Sequence, residues 1–564
     1  MSTTDHGLTS NSSVPSVRLG TMPGDIESSQ AASRPDGAPA SKPIVRHALR
    51  YSISTSDYEL LHKYLISRWP ALRKKAPSVS SYEALIYSRH DYNAAAVRAS
   101  TRIFLASQTG LKAWELIKAR LLARGKPQAP KATGTLLRSP NFRLSLSLST
   151  IFLFHRLLYR FFTLLRRNLL APDARPFRVR NPRTSRLLVS KMAPAIGASL
   201  AGFMLGVYPA DQLRMTIAIY TLSRAGEFLY NKLEEDGWFK HKPWWFGSWL
   251  LFPVSCGQLL HAFIFDRECF PSTYGDFIIN HSGNYIQRRP DDYPANLPWP
   301  DTYQIMDTLA TVGKMKFPPF ISPILFPNKE LPSMLTSVAP VVEPAHPAIA
   351  NLTCAMLHPN DPSCLRSYIT YFIQAFPGVA RFFTMIFAVL ALPRYRAFLK
   401  QPVASVDQLA RSILKMSLFI TGAIGTSWGM ICFFQQLLPR TFLPTQRFFL
   451  GGFVGGLWGF LQRKSGRRQF MYSARLSMDS AWKVGVKRGW VRGFKNGDVW
   501  LFVACLALSN ALYEVNPAAI NSGVMRRILN SSRGAGFVVD GIGDREEDGK
   551  QNEGVTKAES PRAS

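Results

Sequence analysis

The chain has 564 residues, 46% of them hydrophobic and 12% aromatic, and its 68 Lys and Arg against 36 Asp and Glu leave a net charge of +32. Such a surplus points to nucleic acid, to an anionic membrane surface, or to loops that follow the positive-inside rule. The basic residues stand directly beside apolar runs, as in Arg166-Arg167, Arg394-Tyr395-Arg396 and Arg463-Lys464, and no recognition motif accompanies them, so a lipid bilayer is the expected partner and nucleic acid is not.

Residues 1–45 are rich in Ser, Pro and Gly, carry Asp5, Asp25 and Glu27, and lack an apolar core. They read as a disordered tail, neither a secretory signal nor an Arg-rich presequence, so targeting is expected to rest on internal segments. Short amphipathic helices are expected over 46–89, one of them between Ser56 and Trp69, capped by Ser56 or Asp57 and ended before Pro70.

Residues 90–289 read as a first helical membrane half. A long helical stretch from Asp91 to Arg124, broken near Gly110, is interrupted by Arg98, Arg102, Lys112 and Lys118 and suits the interface. Leu144 to Leu165 has the length of a span but carries His155, Arg156 and Arg160, which leaves spanning open. Arg175 to Lys191 reads as a basic, proline-containing loop facing the cytosol. Pro194 to Tyr208 follows, with Ala198, Gly202 and Gly206 at one-turn spacing, then a helix from Leu213 to Leu233 and a span from Phe246 to Phe265.

Residues 290–365 are rich in proline and aromatics without helical period; they read as a linker or lid ending in Cys354, His358 and Cys364. The second half, 366–533, opens with spans at Ile369–Leu392, kinked by Pro377-Gly378, and at Ser412–Leu438. Arg447 to Phe502 then places Gly451, Gly455 and Gly459 on one helix face and Gly452 and Gly456 beside it. A basic hairpin, Arg463 to Arg468, precedes a helix with Arg475, Asp479 and Lys483 and the apolar run Val499 to Leu512. In water each such glycine weakens a helix by about 1 kcal/mol; in a bilayer small residues let backbones pack closely. A tightly packed membrane helix trio is expected. Residues 534–564 form an acidic tail expected to be disordered.

A shift of about 250 residues brings the halves into register. Ala201-Gly202-Phe203 falls on Gly451-Gly452-Phe453 and Gly206 on Gly456. After a slip of two residues Tyr220 falls on Tyr472, Glu227 on Asp479, and Gly237-Trp238 on Gly489-Trp490. Back at the first offset, Gly247 meets Gly497 and Leu251-Phe252 meets Leu501-Phe502. Duplicated membrane folds keep their functional paths between the halves.

Arg475, Asp479 and Lys483, at i, i+4 and i+8, share a helix face, and Arg224 with Glu227 echoes them in the first half. Charges inside a span cost roughly 2.5–3.5 kcal/mol on insertion scales and face a bundle interior or a path; pairing among themselves at the interface is the alternative. Cys354, His358 and Cys364, with His346 as a fourth, are residue types that zinc takes. Their spacing matches no common zinc pattern, and Pro359 and Pro362 fix the backbone between them. Free thiols are therefore expected, or a disulfide in an oxidising compartment, with no metal and no cofactor. Cys432 and Cys505 read as small packed residues. No catalytic residues are expected: Gly451-Gly452-Phe453-Val454-Gly455-Gly456 lacks the Lys-Ser/Thr ending of a phosphate loop.

The run LQRKSGRRQFMYSARLSMDSAWKVGVKRGW…FKNGDVWLF, with the glycines before it, resembles the transmembrane protein 135 family. That family is related to the peroxisomal membrane protein and mitochondrial inner-membrane translocase superfamily. Cys354-x3-His358-Pro359-x4-Cys364, just before the span at 369, is similar to the family's cysteine-rich segment. Here Asn360-Asp361-Pro362 separates His358-Pro359 from Ser363-Cys364, whereas the family has them adjacent, so no metal or redox role carries over. The resemblance implies an all-helical, multi-pass, peroxisomal or mitochondrial membrane protein concerned with organelle organisation and lipid handling. Its partners would be the bilayer, a second copy of the chain, or other organelle membrane proteins. The expected fold is all-α, two similar helical halves with six to ten helices in or on the bilayer; the expected function is non-enzymatic, with a transporter or translocation channel as the alternative.

Overall fold

A computed structural model describes residues 43–534 apart from 74–75, 87–91, 123–138, 284, 292, 295 and 329–331. The tails expected to be disordered lie outside the described residues, save 43–45, which are helical, and 534. The described residues are overwhelmingly helical and contain no strand, only an isolated bridge between Pro319 and Asn351. The chain divides into two compact units, 1–99 and 100–564.

In the first unit α1 (Pro43–Ser52), α2 (Thr55–Tyr64) and α4 (Val79–Ile86) contribute to a small core of Tyr58, Ile66 and Tyr82, and the short α3 (Pro70–Arg73) lies between α2 and α4 in the chain. Ser54, not Ser56 or Asp57, caps α2. Its hydroxyl accepts the Asp57 N–H at 3.2 Å while the Asp57 carboxylate accepts the Ser54 N–H at 3.3 Å, the reciprocal pair of a capping box. Next, α5 (Tyr92–Leu122) runs through Gly110 unbroken. One interior glycine costs about 1 kcal/mol, which a helix of 31 residues absorbs.

The second unit continues with α6 (Pro140–Leu170), α7 (Arg175–Arg180), α8 (Pro182–Val189) and α9 (Ala193–Ser199), which tightens into a 3-10 helix over Leu200–Val207. Then come α10 (Gln212–Glu235), a 3-10 turn at Ser248–Leu250 leading into α11 (Leu251–Phe265), and α12 (Ser272–Asn280). The middle holds α13 (Thr302–Lys314), α14 (Ala339–Val342) and α15 (Leu352–Leu357). Finally come α16 (Cys364–Ala391), α17 (Tyr395–Lys400), α18 (Pro402–Leu437), α19 (Gln446–Gly456) with its 3-10 extension Leu457–Gln462, α20 (Arg467–Lys487), α21 (Gly497–Val515) and α22 (Gly523–Arg533). The expected kink gives no break: Pro377 lies inside the continuous helix α16.

Among the described residues five helical stretches are long and apolar enough to cross a membrane: α6, Ser248–Phe265, α16, α18 and α21. A sixth arises if α8 and Ala193–Val207, bent by 87°, form one broken span. In the most apolar windows, 61% of α18 and 56% of Ser248–Phe265 is buried inside the protein, against 11% of α6 and of α16. Two spans are therefore central and two present most of their apolar surface outward.

Two segments differ from expectation. Arg175–Lys191 is largely helical rather than a loop, because Pro176 and Pro182 fall in first turns, where a missing N–H breaks no hydrogen bond. The described part of 290–365, expected as a linker or lid, packs into the core. Ile305, Met306, Leu309, Val338, Val342 and Leu352 are buried in the largest core together with Phe263, Ile431 and Phe448 from the surrounding helices. Asp301 and Gln304 start α13 with a capping box, the local signal that the proline-rich composition hides.

The glycines of α19 pack on two sides. A methyl at Gly455 would lie 2.7 Å from the Ala423 carbonyl oxygen of α18; one at Gly452 would lie 2.5 Å from the Cys256 carbonyl oxygen of α11. Gly451 likewise faces Ser427 of α18, and Gly456 faces Pro253 of α11. Gly459 leaves the Gly451/Gly455 face and joins Gly456 against Phe252. In the 3-10 extension three residues complete a turn, so i+3 rather than i+4 stays on one face. The same geometry corrects the first half. A methyl at Gly202 would meet Val503 and Phe502 of α21, and Ala198 is fully buried, but Gly206 is exposed and a methyl there would meet nothing within 4 Å.

Packing links residues 140–265 with residues 402–515. α6 lies against α9 and Leu200–Val207 as α18 lies against α19 and Leu457–Gln462; α10 packs on α21, and α11 on α20. After α10 and α20 alike the chain turns on a left-handed glycine, Gly237 at φ 85° and Gly489 at φ 72°, a conformation open to glycine at no steric cost.

Candidate functional site

α10 and α20 meet through their charges. Glu227, buried on α10, accepts from Arg224 Nη1 at 2.7 Å and pairs with Arg467 Nε at 3.1 Å. Asp479 on α20 accepts from Lys483 Nζ at 2.8 Å and from Gln212 Nε2 at 3.0 Å. Arg467 and Gln212 are the first residues of their helices, so each acid is held by the side chain that opens the other helix. Arg475 stays out of this pairing. Its Nε donates to the Met471 carbonyl at 3.0 Å and its guanidinium lies 4.9 Å from the Tyr220 ring centroid. Asp479 and Lys483 are thus joined as expected, Arg475 turns aside, and Asp479 Oδ1 is buried without a hydrogen-bond partner.

Other charged contacts escaped sequence reasoning. Arg214 at the start of α10 donates through Nε and Nη2 to the two carboxylate oxygens of Asp498, the latter at 3.0 Å, and through Nη1 to the Tyr208 carbonyl at 3.2 Å. Both side chains are nearly inaccessible, at 4% and 10%. Asp498 sits in the first turn of α21, just after left-handed Asn496; the Asn-Gly-Asp turn is the one local hint. Asp266, buried just beyond α11, pairs with Lys487 Nζ at 3.2 Å and Arg488 Nη2 at 2.5 Å. Burial works to raise its pKa, but hydrogen bonds from Arg488 and Lys487 outweigh this and hold it below the usual carboxylate value. In α6, His155 Nδ1 lies 3.0 Å from the Ser532 carbonyl oxygen, and Arg156 Nε donates to the Ser531 carbonyl at 2.9 Å. The last turn of α22 thus meets His155 and Arg156, two of the polar residues that interrupt this apolar helix.

The second constellation is sulfur-rich. α15 supplies Cys354, the turn after it His358, the first position of α16 Cys364, and the penultimate turn of α18 Cys432. Their donor atoms all lie within 4.8 Å of one another. Cys354 Sγ and Cys364 Sγ are 3.7 Å apart, and Cys432 Sγ and His358 Nε2 3.6 Å. The cysteines are unbonded thiols. His358, Cys354 and Cys432 are buried and Cys364 is half-buried. His358 Nδ1 faces the Asp361 carbonyl oxygen at 2.7 Å, and the Asp361 carboxylate takes two hydrogen bonds from Arg366, each 2.7 Å. Gln436 Nε2 donates to Cys364 Sγ at 3.4 Å. Burial opposes a charge on His358, yet its hydrogen bonds to Cys354 and Cys364 draw its pKa up to about 10.

The sequence-based trio Cys354, His358 and Cys364 is therefore brought together. His346, the residue the sequence offered as a possible fourth, is exposed and accepts the Ala348 N–H on Nδ1 at 3.1 Å. Its place is taken by Cys432, read from sequence as a packing residue. No local signal marks that role, because the partners stand far away in the chain.

Comparison of the chain with protein-family models, with curated proteins and with solved structures finds no match.

Proposed function

We propose that the protein is a multi-pass protein of a peroxisomal or mitochondrial membrane, built from two similar halves, and that it organises that membrane and its lipids without catalysing a reaction. The observation that carries the membrane reading is the outer surface of α16. Leu365, Ile373, Val389 and Leu390 are exposed along it at 69%, 68%, 64% and 63%. Large apolar side chains left this open from one end of a helix to the other are foreign to a water-facing surface, and a helix satisfies its own backbone, as lipid demands.

The two-half reading draws support from the alternating packing. Gly202 and Gly452, matched in sequence, lie against α21 and α11, the matched apolar helices of the opposite halves. Glu227 and Asp479, matched likewise, each reach the first residue of the other's helix. Organelle and lipid handling rest on the resemblance to the transmembrane protein 135 family.

The test is localisation followed by loss of function. Tagged protein should resist alkaline extraction and coincide with peroxisomal or mitochondrial markers, and its deletion should alter the shape or number of that organelle. Secretory-pathway localisation or unchanged organelles overturn the reading. The rival transporter reading demands solute flux across reconstituted liposomes that Asp479→Asn abolishes.

A further inference from the structure

Cys354, His358, Cys364 and Cys432 have the dimensions of a metal site. A tetrahedral zinc ion, bound at about 2.3 Å by sulfur and about 2.0 Å by imidazole nitrogen, sets its ligand atoms roughly 3.5–3.8 Å apart. The Cys354–Cys364 and Cys432–His358 separations, 3.7 and 3.6 Å, already have that value. The most distant donors in the cluster, no more than 4.8 Å apart, need a contraction of about 1 Å to complete the tetrahedron.

We propose that these four residues bind one zinc ion in a closed Cys3His site. Three arguments support zinc over the alternatives. Three donors within Cys354–Cys364 and a fourth 68 residues further along the chain converge, whereas a disulfide joins two sulfurs at about 2.05 Å and leaves the third thiol and the imidazole unexplained. Three sulfurs and one imidazole select a borderline-soft ion such as zinc and reject magnesium or calcium, which take oxygen. The surroundings are also those of a ligand set. Nδ1–H of His358 donated to the Asp361 carbonyl turns Nε2 toward the sulfurs, the outer contact that metal-bound histidines make. Arg366 fixes Asp361, and Gln436 donates to Cys364 Sγ, a placement that suits a thiolate.

With four protein ligands, three of them buried, the site has no open position for water or substrate. Such sites are structural. The ion would fasten α15 and its following turn to the start of α16 and to α18, and so hold the packed segment between Thr302 and Leu357 against two apolar helices. This inference stands apart from the organelle reading and survives its failure.

Full-length protein, purified in detergent under reducing conditions without chelator, is assayed by elemental analysis, then stripped and reloaded with cobalt. Wild type should carry about one zinc per chain and show the visible absorption of tetrahedral cobalt with strong sulfur-to-cobalt charge transfer. Cys432→Ser and His358→Ala should lower zinc content at least tenfold, and Cys505→Ser should leave it unchanged. Cys432→His separates lost ligation from lost folding: it should keep tetrahedral cobalt bands with weaker charge transfer. Wild type that holds no zinc and takes up no cobalt, a Cys354–Cys364 disulfide in the reduced preparation, or full zinc content in Cys432→Ser overturns the proposal.

Discussion

Gly455 and Gly206 look alike in the sequence and meet opposite surroundings. A methyl at Gly455 runs into the Ala423 carbonyl and the Ser427 amide, both backbone atoms of α18, at 2.7 and 2.9 Å. Backbone cannot step aside, so Gly455→Ala should destabilise the protein by about 1–3 kcal/mol, the range for overpacked cores. Gly206→Ala meets nothing within 4 Å and should change stability by no more than about 0.5 kcal/mol. Thermal unfolding of the two variants in one detergent decides; equal shifts refute the two-sided packing of α19. Arg214 and Asp498 belong to the same scale. Their buried, multiply bonded pair joins the start of α10 to the start of α21, and Asp498→Ala would strand a buried guanidinium at a cost of about 3–5 kcal/mol.

Among the elements, the ends of α11 and α20 are fastened by Asp266. Its folded pKa lies below the ordinary carboxylate value, so the native state holds fewer protons there than the unfolded chain. The contribution is then fully present above the unfolded pKa of about 3.9 and is lost as pH falls through the folded value. Asp266→Asn should therefore be less stable than wild type at neutral pH, with the gap closing below about pH 4. Melting curves between pH 7 and pH 3 read this out; a gap that stays constant shows that Asp266 acts through shape rather than charge.

The elements also show what a sequence makes visible. Long apolar runs declare α11, α16, α18 and α21, because length and hydropathy are local properties. α13 to α15 stayed hidden. Their core residues, such as Met306 and Val342, are buried by helices distant in the chain, and prolines around them erase the periodicity. Cys432 was hidden for the same reason. It stands in an apolar run whose only local reading is packing, and what makes it chemically distinctive is three side chains that close in from 68 to 78 residues earlier. The exposed glycine at 206 shows the reverse error, a local pattern read with 3.6 residues per turn where the chain adopts three.

At the scale of the whole molecule, residues 100–289 and 366–533 interleave rather than stack: α10 leans on α21 and α11 on α20. Each stretch thus completes its packing with helices from the other. Residues 100–289 produced alone should be soluble in detergent yet unfold broadly and fall to protease. Co-production with 290–564 should restore protection. Full protection of the first fragment by itself in limited proteolysis would mean that the two fragments are independent.

The interleaving also puts a clock on biosynthesis. α10 ends at Glu235, and α21, the surface it rests on, is complete only at Val515, 280 residues later. At ribosomal speeds of about 5–20 residues per second, roughly 15–60 seconds pass during which Arg214 and Glu227 exist without Asp498 and Arg467. For that interval the first half is a client, with exposed charge next to apolar surface. Something must shield it, whether the insertion machinery, a chaperone or the lipid headgroups, and a premature stop before Asp498 would leave Arg214 without its carboxylate for good.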